Sequence, residues 1–322
     1  MLPSKDKLAI CFAHPAYQMA ARFAARGTGI AHFQVGNPEA YAARLPEADV
    51  VVSSMLWRND LVPHAKRLRF VQSISAGIDQ YDKDVFRAQG IRLASAAGVN
   101  AYAVAEHAMA LILALKRHIH TGRDNQAAKV WRGMISHIPE REDELGGKTL
   151  LIVGLGRIGT RLAKLAKAFD LKVVATRRDA SRGGEGADAV HGHDRLYELI
   201  ASADIVALTC PLTPETTNLI DAKALNLMKP TAHLVNVARG RVVDEDALIR
   251  ALWEKRIAAA GLDVTREEPL PPASPLWTMP NVLITPHTAG ETQRYEDGVI
   301  DLLLENLGRL WRGETALVNH VV

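Results

Sequence analysis

Features that would direct the protein out of a reducing compartment or into a bilayer are nearly absent from the sequence. It has only two cysteines, Cys11 and Cys210, and both lie in apolar, strand-like runs. This usage predicts buried free thiols rather than a disulfide. No run approaches the roughly 20 apolar residues that span a bilayer, and the apolar run before His14 is too short for a signal peptide. We therefore predict a cytoplasmic protein without a membrane partner.

An excess of charge of either sign is also missing. The 39 basic and 36 acidic residues leave a net charge of +3 over 322 residues, and no repeat or low-complexity tract occurs. So small a net charge does not indicate a nucleic-acid partner. The apolar fraction of 48% and the charged fraction of 23% are typical of a globular protein with well-formed cores. The length predicts two domains of about 100 to 200 residues each.

Short apolar runs alternate with helix-period segments in two blocks, which predicts two parallel sheets covered by helices. The predicted strands are "KLAICFA", "ADVVVSS", "LRFVQSI" and "IRLASAA" in the first block, and "TLLIVG", "LKVVAT", "ADIVALT", "AHLVNVA", "AAAGLDV" and "NVLITP" in the second. Residues 100–120 predict one long buried helix, and residues 291–313 an amphipathic helix that returns to the first block. We therefore predict an α/β fold in which one domain, residues 101–290, is inserted into another, residues 1–100 plus 291–322.

Residues 123–147 are polar and irregular, without a clear period, yet they contain Trp131. An apolar anchor in these charged surroundings predicts an arm that packs against another surface, such as a second subunit.

A glycine-rich turn, Gly154-Leu-Gly-Arg157-Ile158-Gly159, joins the strand "TLLIV" to the helix "TRLAKLAKAF". In such a turn the first glycine permits the tight bend, the second (here Gly156) lets backbone approach a pyrophosphate, and the third permits close helix–strand contact. The helix then offers its free N–H groups to the phosphates. Because strand, turn, helix and second strand are all present, the turn predicts a dinucleotide site.

The second strand of this unit ends in "TRRDASR", where a carboxylate for the ribose hydroxyls would be expected. Arg177 and Arg178 stand there instead. Guanidinium groups bind a phosphate through paired donors, so they favour the 2′-phosphate of NADP, with NAD as the alternative. The competing interpretation is a solvated basic loop.

With these motifs in order, the chain resembles the D-isomer-specific 2-hydroxyacid dehydrogenases, which include glyoxylate/hydroxypyruvate reductases, D-lactate dehydrogenases and phosphoglycerate dehydrogenases. The resemblance covers nearly the whole length through "SISAGIDQYD", "AAGVNAYAVAEHAMALILAL", "IVGLGRIG", "CPLTPETTNLID", "LVNVARGRVVDEDALIRAL", "AAAGLDVTREEPLP" and "NVLITPHTAG". It implies two Rossmann-like or flavodoxin-like parallel-sheet domains, the cofactor domain inserted into the substrate domain. It also implies cofactor contacts at Cys210, Pro211 and Asp263, the last for the nicotinamide carboxamide.

The resemblance places the family's catalytic arginine, glutamate and histidine on Arg239, Glu268 and His287. Reducing a 2-keto acid requires a hydride on carbon and a proton on oxygen, and an imidazolium can supply that proton. A carboxylate beside His287 would favour the charged ring, and Arg239 could bind the substrate carboxylate and carbonyl oxygen. Glu267 is the alternative partner of His287, and Arg239 could instead pair with a neighbouring acid, Asp244 or Glu245.

The implied substrate contacts lie in the first domain. The backbone N–H groups of Ala76, Gly77 and Ile78 in "SISAGIDQYD" resemble the family's carboxylate-binding loop. Trp57 in "SSMLWRND" is predicted to wall the substrate pocket and Arg58 to meet a second anionic group, the alternative being that both face solvent. The "HGHD" segment at residues 191–194 imitates a metal site, but we predict surface polarity there, and no metal, because hydride transfer requires none.

The sequence thus predicts an NADPH-preferring reductase of small 2-keto acids such as glyoxylate or hydroxypyruvate. No basic cluster for a phosphorylated substrate is evident, which weighs against phosphoglycerate, and the glutamate at 268 disfavours formate dehydrogenases, which use a glutamine there. Two alternatives remain. One is an NAD-dependent D-hydroxyacid or phosphoglycerate dehydrogenase. The other is a nicotinamide-sensing interaction protein, like the family's transcriptional corepressors.

Overall fold

The computed structural model describes residues 2–322, which form twelve strands and ten α-helices. The strands are β1 (Ala9–Ala13), β2 (Ala31–Val35), β3 (Val50–Ser53), β4 (Phe70–Ser73), β5 (Arg92–Ala94), β6 (Thr149–Val153), β7 (Lys172–Thr176), β8 (Ala189–His191), β9 (Ile205–Leu208), β10 (His233–Asn236), β11 (Ala259–Leu262) and β12 (Val282–Ile284). The helices are α1 (Met19–Ala24), α2 (Pro38–Arg44), α3 (Lys83–Gln89), α4 (Ala101–Lys116), α5 (Ile119–Ala127), α6 (Arg157–Lys167), α7 (Leu196–Ser202), α8 (Ala222–Leu227), α9 (Glu245–Trp253) and α10 (Tyr295–Trp311).

The chain folds into two compact units. The first comprises the chain up to Asn100 together with Thr292–Val322, and the second comprises Ala101–Glu291. Each contains one sheet in which every strand pair is parallel. The two sheets confirm the predicted α/β class.

The first unit has a five-stranded sheet in the order β2-β1-β3-β4-β5. Its central strands β1, β3 and β4 are buried except for Ala9 at the start of β1, and α10 packs against α1 on one face. Phe12 and Phe23 meet at 5.3 Å between ring centroids inside this layer. The C-terminal helix therefore completes the core of the unit that the N-terminal residues begin.

The second unit has a seven-stranded sheet in the order β12-β11-β10-β9-β6-β7-β8. Strands β7 and β8 continue from β6 in one direction, whereas β9 to β12 extend in the other, so the order reverses between β6 and β9. In open parallel sheets, ligands bind at the carboxyl ends of the strands at such a reversal. The sheet topology alone thus points to the residues that follow β6 and β9.

Helix α4 owes its buried position to small and aliphatic side chains that fit closely against α6 and the sheet. Ala105 and Ala108 are fully buried. A Cβ added at Gly261 of β11 would lie 3.2 Å from Leu111 of α4, which shows how closely the helix approaches the sheet. The one long helix predicted for residues 100–120 instead ends at Lys116, because His118 adopts left-handed backbone (φ 51°) before α5 begins.

Strands β2 and β8 were not predicted from the sequence. Both lie at a sheet edge, and none of the three residues of β8 is fully buried. An edge strand needs no continuous apolar run, so its sequence signal is weak. Among residues 2–322, no helix combines the length and hydrophobicity needed to span a membrane. The two thiols are free and buried, as predicted.

Candidate active site and cofactor-binding turn

The glycine turn lies at the sheet reversal, between the ends of β6 and β9. Gly154 has a φ of 103°, and a Cβ there would be 2.6 Å from the backbone of Cys210. A Cβ at Gly159 would be 2.5 Å from the carbonyl oxygen of Gly154. Any side chain at either position would therefore separate β6, β9 and α6. The glycines here are required by close backbone packing.

The space around Gly156 is open, in contrast to the crowded surroundings of Gly154 and Gly159. No atom lies within 4 Å of the position that its Cβ would occupy, and the residue is exposed at the start of α6. The first N–H groups of a helix have no intrahelical acceptor, so Arg157, Ile158 and Gly159 present backbone at the positive end of the helix dipole. An open approach to these groups fits a pyrophosphate.

The end of β9 is tied to the turn by a residue that sequence reasoning missed. The Thr209 hydroxyl donates to the carbonyl oxygen of Gly154 at 2.7 Å. Cys210 follows and is 4% exposed; burial raises the pKa of its thiol to about 11. Pro211 is exposed, and its carbonyl oxygen accepts from the Thr216 hydroxyl at 2.7 Å. Cys210 and Pro211 therefore border the turn mainly through their backbone.

The end of β7 carries positive charge beside the same turn. The carbonyl oxygen of Thr176 accepts from the N–H groups of Gly154 and Leu155, at 3.0 and 2.9 Å. The next residue, Arg177, donates through Nη1 to the carbonyl oxygen of Gly183 at 2.7 Å, and Arg178 is exposed.

The first acid beyond these arginines, Asp179, is used locally. Its carboxylate accepts from the backbone N–H of Ser181 at 3.2 Å and from the Ser181 hydroxyl, and the side-chain hydrogen bond from Ser181 lowers its pKa. No carboxylate stands at the strand end itself, so the charge that a ribose-binding acid would supply is replaced by guanidinium groups.

His287 and Glu268 form a close pair. The Nδ1 atom of His287 lies 2.7 Å from Oε2 of Glu268, and Oε1 of Glu268 accepts from the N–H of Thr265 at 3.1 Å. Burial alone would raise the pKa of Glu268. The hydrogen bond from His287, the charge of that ring, the hydrogen bond from the Thr265 N–H and the charge of Arg239 together outweigh burial, so the pKa is lowered. Glu267 contacts the site only through its backbone oxygen, which accepts from the Thr265 hydroxyl.

The other ring nitrogen of His287 is available. Its Nε2 atom has no hydrogen bond to any residue that the structure describes, and the side chain is 47% exposed. Because Nδ1 faces a carboxylate, Nδ1 carries a proton, and Nε2 is the position at which the ring can exchange a proton with another molecule.

The backbone of Arg239 can lie beside the residues that follow β11 because the next residue is a glycine. A Cβ at Gly240 would lie 1.9 Å from the carbonyl oxygen of Thr265, so the backbones after β10 and β11 touch there. The carbonyl oxygen of Arg239 is held by Asn236 Nδ2 at 3.0 Å. Asp244 and Glu245, the alternative partners weighed for Arg239, cap α9 and accept from the Arg266 N–H, respectively.

Asp263 is 2% exposed and anchors the loop after β12. Its backbone oxygen accepts from His287 N–H at 2.8 Å. Its carboxylate accepts from the Thr285 hydroxyl at 2.6 Å and from the N–H groups of Thr288 and Ala289, at 3.0 and 3.1 Å. Thr285 was not among the predicted site residues, since a threonine before the histidine carries no recognisable signal of its own.

In the first unit, the loop after β4 presents three consecutive N–H groups without partners. Ala76, Gly77 and Ile78 donate no backbone hydrogen bond to any described residue. All three are half-buried. Successive free N–H groups in an irregular loop form a concave anion-binding surface, which suits a carboxylate.

The structure places Trp57, which was predicted to wall the substrate pocket, in the core of the first unit. Trp57 is 6% exposed, with its ring 5.4 Å from Tyr81 and 5.1 Å from Phe86, and its Nε1 donates to Asn59 Oδ1. An indole packed into the core of the first unit has almost no surface left for a ligand. Arg58 is exposed and paired with Asp60.

The "HGHD" segment shows no ligand geometry. His191 Nδ1 lies 3.1 Å from Arg195 Nη1, and burial lowers the pKa of His193, with Arg178 adding to the effect. Within residues 2–322, no group of three or more His, Cys, Asp or Glu side chains is arranged to hold a metal ion.

Known proteins are similar to this chain in sequence and in fold. Residues 109–289 match the family model of the D-isomer specific 2-hydroxyacid dehydrogenase NAD-binding domain. A glyoxylate reductase of Pyrococcus furiosus is 38% identical over 87% of this chain and 84% of its own length.

Two solved structures cover 98% of the chain. One, a D-isomer specific 2-hydroxyacid dehydrogenase family protein from Aeromonas salmonicida, has a TM-score of 0.85, 27% identity and 99% of its own chain covered. The other, an NADPH-dependent glyoxylate/hydroxypyruvate reductase from Sinorhizobium meliloti in complex with NADP and malonate, has a TM-score of 0.81, 26% identity and 97% coverage. The chain therefore belongs to the D-isomer-specific 2-hydroxyacid dehydrogenase family, and it is an oxidoreductase.

Proposed function

We propose that the protein reduces small 2-keto acids, such as glyoxylate or hydroxypyruvate, to D-2-hydroxy acids with NADPH as the preferred cofactor. The observation that carries this proposal is the pair of His287 and Glu268. The ring has a carboxylate 2.7 Å from Nδ1 and no protein partner at Nε2. A ring in this environment can bind a second proton at Nε2 and transfer that proton to a bound substrate.

His287 acts as the proton donor in this mechanism. A bound nicotinamide supplies the hydride that adds to the keto carbon. As the carbonyl oxygen gains negative charge, the imidazolium transfers its Nε2 proton to that oxygen. This leaves a hydroxyl group and a neutral ring that keeps its proton at Nδ1, hydrogen-bonded to the Glu268 carboxylate. Because the side chain is 47% exposed, solvent can restore the Nε2 proton for the next turnover.

Each unit carries its own candidate group for the substrate anion. The guanidinium of Arg239 binds the carbonyl oxygen and steadies the charge that develops there. The N–H groups of Ala76, Gly77 and Ile78 can donate to a substrate carboxylate, since they make no hydrogen bond within the described chain. Arg58 is neutralised by Asp60, so the loop that holds it offers no free cation to a phosphorylated substrate. This favours small monoanionic keto acids.

The cofactor is bound by the turn after β6. Gly154, Gly156 and Gly159, with the N-terminus of α6, would hold the pyrophosphate. Asp263, implied as the contact of the nicotinamide carboxamide, is 2% exposed and already accepts from Thr285, Thr288 and Ala289, so it would act on the nicotinamide mainly through the loop that it holds. Arg177 and Arg178 bind the 2′-phosphate, because both follow β7, where the ribose edge of a dinucleotide lies in this fold. The positive charge there supports NADP over NAD.

We also infer that the protein is a homodimer in the cytoplasm, paired through residues 123–147. Four large apolar side chains in this arm are exposed: Val130 at 54%, Trp131 at 98%, Met134 at 101% and Ile138 at 72%. So much apolar surface on one segment is typical of an interface. The two buried thiols suit a reducing compartment.

Steady-state kinetics test the proposal. Glyoxylate, hydroxypyruvate and phenylpyruvate are each assayed with NADPH and with NADH, for the wild type and for His287→Asn. We expect turnover of a small keto acid, a higher kcat/KM with NADPH, and a loss of about 10²- to 10⁴-fold in kcat for the variant. NADPH binding, followed by fluorescence, should be unchanged. Binding of NADPH without turnover of any keto acid would contradict the proposal and favour the interaction-protein alternative.

A further inference from the structure

A histidine of α4 reaches the loop that carries His287. The Nε2 atom of His107 lies 2.8 Å from the Thr285 hydroxyl oxygen, and that hydroxyl lies 2.6 Å from Oδ1 of Asp263. His107 Nε2 is also 3.5 Å from the same carboxylate oxygen. These three side chains connect helix α4 to the carboxyl ends of β11 and β12.

The directions of these hydrogen bonds follow from the donors present. Asp263 already accepts from the N–H groups of Thr288 and Ala289, so its carboxylate acts as an acceptor. The single hydroxyl proton of Thr285 must therefore point to Asp263. The Thr285 oxygen then accepts, and His107 must donate through Nε2–H. These two hydrogen bonds, called the relay below, therefore run in one direction, from His107 to Thr285 and from Thr285 to Asp263.

The acceptor at the end of the relay holds the backbone around His287. Asp263 accepts from the His287 N–H through its own backbone oxygen and from the next two N–H groups through its carboxylate. His287 itself has a φ of 55°, a left-handed conformation that a non-glycine residue adopts only when its surroundings enforce it. Asp263 thus fixes the backbone of His287 through its carbonyl oxygen and the next two residues through its carboxylate.

We propose that His107 is a positioning residue of the reductase. By donating to Thr285 it fixes the rotamer of that side chain, which fixes the Asp263 carboxylate and, through it, the loop that directs His287. The side chain of His107 is 23% exposed and Asp263 is 2% exposed, so little water is available to replace the lost donor. This inference rests on the proposed function for its kinetic effect, but its structural part does not.

The kinetic test compares two variants of His107. The amide nitrogen of Gln can occupy the place of Nε2 and donate to Thr285, whereas Leu cannot. We expect His107→Leu to lower kcat for the keto acid by about 10- to 100-fold, as small misplacements of a reacting group do. KM should change less than about threefold, and His107→Gln should restore most of kcat. A purely structural role would not produce this division between kcat and KM.

Two further variants complete the kinetic test. In a double-mutant cycle with Thr285→Val, kcat of the double variant should fall no further than kcat of the more impaired single variant, because both changes interrupt the same relay. Ala110→Gln, one turn further along α4 at an exposed position, is the matched control and should behave as wild type.

A second readout is independent of turnover. Amide hydrogen exchange at Thr288 and Ala289 should accelerate about tenfold in His107→Leu and stay near wild type in His107→Gln, while amides of β10 keep their rate. An inactive wild type with this exchange pattern would refute the proposed reaction but support the relay. Unchanged exchange in His107→Leu, a Gln variant as impaired as the Leu variant, or losses that multiply in the cycle would each overturn the inference.

Discussion

The two nitrogens of His287 have different environments. Nδ1 faces Glu268 at 2.7 Å, while Nε2 has no partner in the described chain. The carboxylate is itself held by the Thr265 N–H, so it cannot turn away from the ring without losing a hydrogen bond. A carboxylate fixed beside Nδ1, with Nε2 open, is the arrangement that the proposed proton transfer from His287 requires.

Replacing Glu268 by Gln should shift the pH profile of reduction. The pKa of Glu268 is lowered, so it is ionised at working pH, and the amide removes this negative charge while keeping the shape. The imidazolium becomes less stable, and the alkaline fall in the reduction rate should move by about one to two pH units toward lower pH. The measurement is kcat/KM for keto acid between pH 5 and 9. A profile superimposable on wild type would remove Glu268 from the pairing, and Glu267→Gln is the neighbouring control.

Replacing Arg177 and Arg178 together by Ala should weaken NADPH selectively. Each charge-assisted hydrogen bond to a phosphate contributes about 1.5 to 3 kcal/mol, so KM for NADPH should rise at least about tenfold while KM for NADH changes by less than about threefold. Lys172→Ala, an exposed cation at the opposite end of β7, controls for net charge. Equal losses for both cofactors would show that the arginines do not hold the phosphate.

Reactive residue types could be identified from the sequence because they lie in motifs whose order is informative. The residues that hold these reactive side chains in place could not be identified from the sequence. Thr265 holds Glu268 through a backbone N–H, and Gly240 matters because Thr265, from another strand, lies against it. Such contacts depend on strand register, which a local pattern does not encode. The packing of Trp57 could not be predicted for the same reason, since an aromatic residue in a loop gives the same sequence signal whether it faces a ligand or packs on Tyr81 and Phe86.

At the scale of elements, every central strand was identified, and so were the edge strands β5 and β12, whereas the edge strands β2 and β8 were missed. A strand such as β9 is apolar at every position, whereas β2 has one fully buried residue among five. The end of α4 was also misplaced, because a single left-handed residue, His118, interrupts a continuous helix-period pattern. Backbone reversals at a non-glycine residue have no strong sequence signature.

One strand carries a pH-dependent contribution to stability. His233 begins β10, is 7% exposed, and has no hydrogen-bond partner at Nδ1. Burial, together with the charge of Lys116, lowers its pKa from 6.5 to about 3. The folded state therefore holds the ring neutral, while the unfolded chain binds a proton below pH 6.5. Stability from this group is complete above pH 6.5 and is lost progressively as the pH falls toward about 3.

Replacing His233 by Gln should remove this acid sensitivity. Between pH 7 and pH 5 the ring should lower the wild-type free energy of unfolding by about 2 kcal/mol, and the variant should lack that increment whatever its stability at pH 7. Denaturant unfolding at the two pH values measures the difference. His137→Gln, at a side chain that is 67% exposed, is the control. An increment of equal size in wild type and His233→Gln would contradict the assignment.

At the scale of the whole molecule, the arm at residues 123–147 is the segment whose exposed apolar side chains the fold of one chain does not cover. If a second copy covers it, Trp131→Ser should weaken the dimer by about 30-fold or more, as the loss of a buried aromatic anchor does. Analytical ultracentrifugation over a dilution series measures this constant. Trp253→Ser, an exposed tryptophan of α9 at 76%, should leave it unchanged. A wild type that sediments as a monomer would contradict the dimer.

The contact between Gly154 and Cys210 makes the thiol of Cys210 a chemical probe. With a pKa near 11, only about one thiol in a thousand is ionised at pH 8, and 4% exposure shields even that fraction. Alkylation by iodoacetamide can therefore proceed only when β6 and β9 separate at the turn. Its rate measures how often that edge of the sheet opens, and a dinucleotide bound across it would slow the labelling.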